Sequence, residues 1–222
     1  MNEWTQRLLR LDCCAVSDAM DKLGLRDRVA SGLEQRATTR RIAGRVVTYR
    51  LVPAADAPPA DPAQPPRHLG TTAVDLAQPG EVIVVEQTTG IDAGSWGGIL
   101  TLGAKVKGVA GVVVDGPVRD IDEARAYDFP VYCRALTART ARGRVAELET
   151  NGTVTIGPVS VQAGDYVIAD ASGVAFIPAA DAQRVIEAAE MIAGREAAMA
   201  KALLAGKPLP EVMGADYEHM LR

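Results

Sequence analysis

Short apolar strands alternate with helical segments through the middle of the chain, and this pattern constrains the fold more than any other. Residues 82–86, 111–114 and 129–133 are β-branched or aromatic runs of strand length. Residues 99–107 read as a helix between the first two runs, and a shorter helix reaching Tyr127 separates the second from the third. A β-α-β-α-β order needs crossover connections, so it predicts a parallel sheet covered by helices.

The flanking segments differ. Residues 3–24 read as two short helices, with Ser17 as an N-cap and Gly24 as a stop. Residues 46–49 read as a strand, and 53–66, rich in Pro and Ala, as an exposed loop. A helix over 67–77 and a Pro79-Gly80 turn follow. Residues 145–148, 154–156, 159–161, 166–169 and 174–177 are strand-like, and glycines separate most of them, which predicts antiparallel pairing. Pro178 fits a helix N1 position before one long Ala-rich helix over 181–204, and a short tail helix is expected over 216–221. The 222 residues therefore read as a single domain, with a core over about 12–204 and a tail over 205–222.

Composition removes several function classes. Lys and Arg number 24 against 28 Asp and Glu, a net charge of −4, so the basic excess of a nucleic-acid binder is missing. No apolar run approaches the roughly 20 residues of a membrane span. The first twelve residues lack the apolar stretch of a signal peptide. Cys13 and Cys14 are adjacent and Cys133 is remote, which gives neither a CxxC pair nor a zinc ribbon. Unpaired cysteines and no export signal favour a reducing cytoplasm. Two histidines exclude a three-histidine metal site.

Two constellations carry chemistry. Gly94-Ser95-Trp96-Gly97-Gly98 opens the 99–107 helix. Glycines there let a ligand approach the backbone, and the free N–H groups favour an anion. The competing reading is that Ser95 caps the helix and the glycines shape a turn. No P-loop Lys-Ser/Thr, GxGxxG fingerprint or S-adenosylmethionine loop is present. The second constellation is Arg119-Asp120, which follows the Val112-Val113-Val114 strand through Asp115-Gly116-Pro117. That places it beyond the carboxyl end of a strand, where open α/β sheets bind ligands. Arg119 offers a fork for a carboxylate or enolate oxygen, and Asp120 a hard donor for Mg²⁺ or Mn²⁺. Against this, Asp120 and Glu123 have the spacing of a capping box. His68, next to Arg67, is either a proton carrier or structural. Lys105 and Lys107 give no reason to expect a Schiff base, and Cys133 reads as inert core.

Trp96-Gly97-Gly98-Ile99-Leu100, the run Gly108-Val109-Ala110-Gly111-Val112-Val113-Val114-Asp115-Gly116-Pro117-Val118-Arg119-Asp120, residues 75–85 and residues 164–170 together resemble the RraA-like family. Its enzymatic branch contains divalent-metal-dependent 4-hydroxy-4-methyl-2-oxoglutarate and 4-carboxy-4-hydroxy-2-oxoadipate aldolases. The resemblance implies an α/β fold of swivelling-domain type, a three-layer β/β/α sandwich. It also implies homotrimeric rings, sometimes hexamers, with the active site at the subunit boundary. By position, Arg119 would hold the pyruvyl keto oxygen and Asp120 the Mg²⁺ (or Mn²⁺). Gly97, Gly98 and the N–H groups of Ile99 and Leu100 would receive the pyruvyl carboxylate. A glutamate from the neighbouring copy's C-terminal helix, Glu196 first and Glu190 second, would complete the outer metal shell.

Two departures stand out. Family aldolases carry an acid where this chain has Gly98, and an Asp-Asn type motif where it has Arg67-His68. His68 is therefore the side-chain candidate for the missing proton carrier, beside a metal-bound water. The expected activity is cleavage of a 2-oxo acid to a pyruvate enolate, by retro-aldol reaction or oxaloacetate decarboxylation. The alternative is a non-catalytic RraA-type regulator that binds an RNA-processing enzyme. The expected partners are a small 2-oxo acid and further copies of the chain, with no nucleic acid and no membrane.

Overall fold

A computed structural model describes residues 2–59 and 68–214. Its elements are α1 (Glu3–Leu8), α2 (Cys13–Lys22), β1 (Val29–Ala30), β2 (Glu34–Gln35), β3 (Ile42–Pro53), α3 (Thr71–Leu76), β4 (Val82–Glu86), α4 (Gly98–Val106), β5 (Gly111–Val118), α5 (Ile121–Ala126) and β6 (Val131–Leu136). They continue with β7 (Val145–Thr150), β8 (Val154–Ile156), β9 (Val159–Val161), β10 (Tyr166–Asp170), β11 (Gly173–Ile177), α6 (Ala182–Leu204) and α7 (Leu209–Val212).

The alternating segment forms the expected parallel ladder. β3, β4, β5 and β6 pair in that order, with Val84 opposite both Thr48 and Val113. The late strands are antiparallel, as the glycine spacing predicted. β3 joins the two halves: residues 42–45 pair with β10, and residues 46–50 pair with β4. Gly44 lies at that crossover, where a Cβ would run into the Gly80 carbonyl. The Gly80 backbone can approach the strand this closely because the residue has no side chain.

Each face of this sheet buries a different set of aliphatic side chains. Ile83, Val85, Val112 and Val114 pack beneath α3, α4 and α5 through Ala73, Leu100, Ala104 and Ala124. The alternate residues Val82, Val84 and Val113 face Val167, Val174, Phe176 and the β8–β9 hairpin. Burial of each such side chain is worth about 1.5–3 kcal/mol, so a core with few aromatics suffices. The three β/β/α layers are therefore present. An additional helical cover of α1, α2 and α6 lies outside β10 and β11, around Val16, Met20, Ile168 and Ile186. The 23-residue α6 is the expected long C-terminal helix.

Several local expectations are corrected. Asp12, not Ser17, caps α2: its carboxylate accepts the Ala15 N–H at 2.8 Å, and Ser17 lies inside the helix. Pro178 opens a 3-10 turn at 179–181, and α6 follows it. The tail helix expected over 216–221 lies outside the described residues, while α7 forms earlier. Asp165, in the turn before β10, needs no correction: its carboxylate accepts the N–H groups of Gln162 and Ala179 at 2.9 and 3.0 Å, a structural role. Among the described residues no helix is long and apolar enough to cross a membrane.

Candidate functional site

The site forms where β5 ends and α4 begins, at the carboxyl ends of the parallel strands. β5 carries an irregularity between Val114 and Pro117. Gly116 allows it, because a Cβ there would lie 2.8 Å from the Gln87 carbonyl oxygen. The strand then delivers Arg119 and Asp120 side by side. Asp120 adopts a left-handed backbone (φ 57°), a conformation that Asp tolerates better than most residues.

That backbone rules out the capping box. Asp120 makes no side-chain cap to α5. Its Oδ2 instead accepts the Gly98 N–H at 3.0 Å, at the start of α4. Its carboxylate also pairs with the Arg119 Nε at 3.2 Å. The Arg119 N–H donates to the Trp96 carbonyl at 3.0 Å, so two hydrogen bonds lace the end of β5 to the start of α4. Trp96 is buried, donates from Nε1 to Thr101 Oγ1 at 2.8 Å and stacks on Phe129. It is the rigid post behind the turn.

Ser95 does not cap α4. Gly97 is the N-cap residue, without a side-chain bond, and the Ser95 hydroxyl is buried with no hydrogen-bond partner among the described residues. The glycines make room for three side chains from the β5–α5 junction and the first turn of α5. A Cβ on Gly94 would come within 2.8 Å of the Arg119 stem, and one on Gly97 within 2.9 Å of the Asp120 carboxylate. A Cβ on Gly98 would land on the Glu123 carboxylate. Glu123 is the residue that sequence reading treated only as half of a capping box. Its carboxylate occupies the volume in which a side chain at position 98 would begin, and forms no ion pair or hydrogen bond among the described residues. No local sequence signal pairs Gly98 with Glu123; their proximity comes from the fold.

Free polar groups surround a cleft of about 160 Å³ whose lining includes His68, Gly98, Arg119, Asp120 and Thr140. The amides of Ile99 and Leu100 carry no hydrogen bond among the described residues, as expected in a first helical turn. The terminal amino groups of Arg119 are likewise unengaged there; only its Nε is paired. The positive end of the α4 dipole adds to their field.

His68 stands at the cleft, with its carbonyl accepting from Thr71 Oγ1 at 2.6 Å. Gly70, in a left-handed conformation, donates its N–H to Glu147 Oε2 at 2.6 Å, and Thr150 Oγ1 holds the other carboxylate oxygen at 2.5 Å. Glu147 therefore latches the 68–70 turn to β7. Beneath that turn, buried Tyr49 donates to the Ser95 carbonyl at 2.6 Å, and burial pushes its phenol well above the usual value. Arg67 lies outside the described residues.

Gly97, Gly98, Ile99, Leu100, Arg119, Asp120 and His68 thus meet at one cleft. Glu196 and Glu190 do not line it in their own chain. Glu190 receives two hydrogen bonds from Arg7, at 2.8 and 2.6 Å, which hold it below the usual glutamate range. Burial and then the charges of Asp12 and Asp18 raise Glu196. A larger cavity, of about 420 Å³, opens among Arg40, Arg41, Lys105 and Phe129, and none of the predicted site residues lines it.

The donor set favours one kind of metal. Among the described residues no group of three or more His, Cys, Asp or Glu is arranged to hold an ion. Burial raises the Cys133 thiol to about 11, which makes it a poor thiolate donor. What the cleft offers is the Asp120 carboxylate; the Glu123 carboxylate lies against Gly98 at the start of α4, outside the cleft lining. One or two carboxylates suit Mg²⁺ or Mn²⁺, which keep most of their waters, and do not suit zinc.

Comparison with known proteins agrees with this architecture. The model of the RraA-like family, described as Aldolase/RraA, matches residues 13–176. Protein DlpA of Legionella pneumophila is 27% identical over 206 residues, 93% of this chain and 32% of that protein. A Halalkalibacterium halodurans protein named "Putative 4-hydroxy-4-methyl-2-oxoglutarate aldolase" is 33% identical over 114 residues, 51% of this chain and 54% of that one. The alignments thus span about a third to a half of those relatives' lengths. Among solved structures, an uncharacterized Pseudomonas syringae protein superposes with a TM-score of 0.83 at 25% identity, covering 95% of this chain and 96% of that one. Streptomyces coelicolor RraAS2, titled an unusual member of the RNase ES inhibitor RraA protein family, superposes with a TM-score of 0.76 at 26% identity, over 88% of this chain and 94% of that one. On the family match, which covers most of its length, this chain belongs to the RraA-like family.

Proposed function

We propose that the protein is a divalent-metal-dependent carbon–carbon lyase that cleaves a 2-oxo acid to pyruvate. The observation that carries this reading is the convergence of Arg119, Asp120 and Glu123 on the start of α4, beside two unengaged amides. Asp120 would hold Mg²⁺ or Mn²⁺, with Glu123 beside it. When bound, the ion supplies Lewis-acid polarisation of the substrate's carboxylate and keto oxygens.

The chain's own groups account for the remaining steps. The Ile99 and Leu100 amides receive the pyruvyl carboxylate, aided by the α4 dipole. The Arg119 terminal amino groups face the keto oxygen, where negative charge grows as the bond breaks. In a retro-aldol reaction a base takes the proton of the 4-hydroxyl. The C3–C4 electron pair then moves into the pyruvyl half to form the enolate, and a proton returns to C3. In oxaloacetate decarboxylation the same enolate forms as CO₂ leaves. Glu123 takes the place of the acid missing at Gly98 and is the first choice for moving that proton; His68 is the second.

The neighbouring copy would complete the site in a trimeric or hexameric ring, with Glu196 contributed across the boundary. Ile99, Leu102 and Val106 form an exposed apolar stripe along α4 beside the cleft, the kind of surface that a second chain covers. The second reading, a regulator of an RNA-processing enzyme, draws on the RraAS2 title, and it needs neither Asp120 nor Glu123. A screen of 2-oxo acids with Mg²⁺, coupled to pyruvate detection, decides between the two. Pyruvate release that Arg119→Ala abolishes supports the lyase. No release from any 2-oxo acid, with capture of an RNase-type partner, overturns it.

A further inference from the structure

The larger cavity, of about 420 Å³, lies at the opposite end of the sheet from the cleft. Its walls come from the segments that lead into β3, β4, β5 and β6, through Arg41, Gly80, Ala110 and Pro130. The cleft is built at the carboxyl ends of the parallel strands, and none of the described residues lines both. The volume falls within the range of about 300–1,000 Å³ that small-molecule sites occupy.

Floor and rim differ in chemistry. Ile42, Val109 and Phe129 are buried and Leu9 is half-buried, so the floor is apolar. Arg40, Arg41 and Lys105 are exposed and give the rim three cations. Two carboxylates face them. Arg40 pairs with Asp128 at 3.2 Å through one amino group, which also donates to the Asp128 carbonyl at 2.5 Å. Lys105 donates to the same carbonyl at 3.2 Å and reaches no carboxylate among the described residues. Arg41 Nε stands 3.7 Å from Asp170, whose carboxylate already accepts the Cys13 and Ser172 amides at 2.9 Å. The terminal amino groups of Arg41 make no hydrogen bond among the described residues. The rim thus carries a positive charge in excess, with guanidinium donors to spare, above a floor that water solvates poorly.

We infer that this cavity is a second ligand site, one that takes a small organic carboxylate with an apolar body. The carboxylate meets Arg41 and Lys105, both charge-assisted donors, and the body covers the Ile42, Val109 and Phe129 floor. A bare anion leaves the floor wet, and an uncharged ligand leaves the rim unmatched, so recognition needs both halves of the ligand. The site stands apart from the cleft and requires no catalysis.

Calorimetric titration with 1-naphthylacetate, its uncharged amide 1-naphthylacetamide and acetate tests each half. The native protein should bind naphthylacetate with a Kd of about 0.1 mM or tighter. The amide should bind at least about tenfold more weakly, the scale of one charged hydrogen bond, and acetate more weakly still. Lys105→Ala and Arg41→Gln should each weaken naphthylacetate by about tenfold and leave the amide nearly unchanged, whereas Arg119→Ala should bind both as the native protein does. Arg41 also faces Asp170, so Lys105→Ala carries the test if thermal unfolding shows that Arg41→Gln has lost its fold. Equal binding of the acid and its amide, acetate binding as tight as naphthylacetate, or no binding up to about 10 mM overturns the inference. Loss of binding in Arg119→Ala, with Lys105→Ala and Arg41→Gln intact, assigns the ligand to the cleft and overturns it as well.

Discussion

Moving the acid between Glu123 and position 98 tests the chemistry most informatively. Gly98 is the first residue of α4, and its φ lies outside the left-handed region, so alanine fits the backbone. Alanine gains up to about 0.5–1 kcal/mol over glycine within a helix. The added Cβ lands on the Glu123 carboxylate, which is exposed and free to swing aside at a cost of about 0.5–1.5 kcal/mol. These terms nearly cancel, so Gly98→Ala should shift the melting temperature by no more than about 3 °C in a chain of this size. Activity should behave differently. A displaced proton carrier costs about 10²-fold or more in kcat, or at least about 2.7 kcal/mol of barrier. Glu123→Ala should lose a similar amount, and the double variant little more, because both changes remove one function. Gly98→Asp in the Glu123→Ala background should recover part of the rate. The assay is pyruvate release with Mg²⁺, alongside thermal unfolding. Native turnover in Glu123→Ala would refute the reasoning, as would full additivity in the double variant.

Other perturbations have defined outcomes. Gly94→Ala presses a methyl against the Arg119 stem at 2.8 Å and should lower kcat by about tenfold or more while the fold survives, read by kinetics and circular dichroism. Glu147→Ala releases the Gly70 amide and the 68–70 turn; protease cleavage near residue 68 should accelerate, and stability should fall by about 1–3 kcal/mol in urea unfolding. Asp170 sits below the usual carboxylate range: burial opposes its charge, but the Cys13 and Ser172 amides, the Cys13 thiol and Arg41 outweigh that. Its contribution is therefore complete above the ordinary Asp pKa, about 3.9, and is lost as pH falls through the lower folded value. Asp170→Asn should flatten the acid limb of a stability–pH curve between pH 5 and 2, and an unchanged limb contradicts the assignment. Glu196 is raised by burial and by Asp12 and Asp18, so its charge opposes folding as pH rises. Glu196→Gln should raise the melting temperature at pH 7 relative to the native protein, and should weaken Mg²⁺ binding only if the residue reaches a neighbouring cleft.

Local patterns made much of this fold legible. Strand runs such as 82–86 and 111–114 are β-branched and bounded by turns, and glycines marked the antiparallel return. The backbone placed Arg119-Asp120 and Gly97-Gly98 at one site because strand ends and helix starts converge in parallel sheets. Glu123 was missed because its role depends on the left-handed turn at Asp120, which rotates α5 so that its first turn faces Gly98. Thr140 was missed because its position depends on a long-range hydrogen bond between Gly94 and Arg139. The outer helical cover needed α6 to pack on α2, a contact between residues far apart in the chain.

The most direct test of the central claim is pyruvate release from a panel of 2-oxo acids by the native protein and by Arg119→Ala, each with Mg²⁺ and then with EDTA. The account predicts release by the native protein, loss in EDTA with recovery on added Mg²⁺ or Mn²⁺, and a drop of about 10²-fold or more in Arg119→Ala. Full activity in chelator, or native-like turnover of Arg119→Ala on its best substrate, contradicts it.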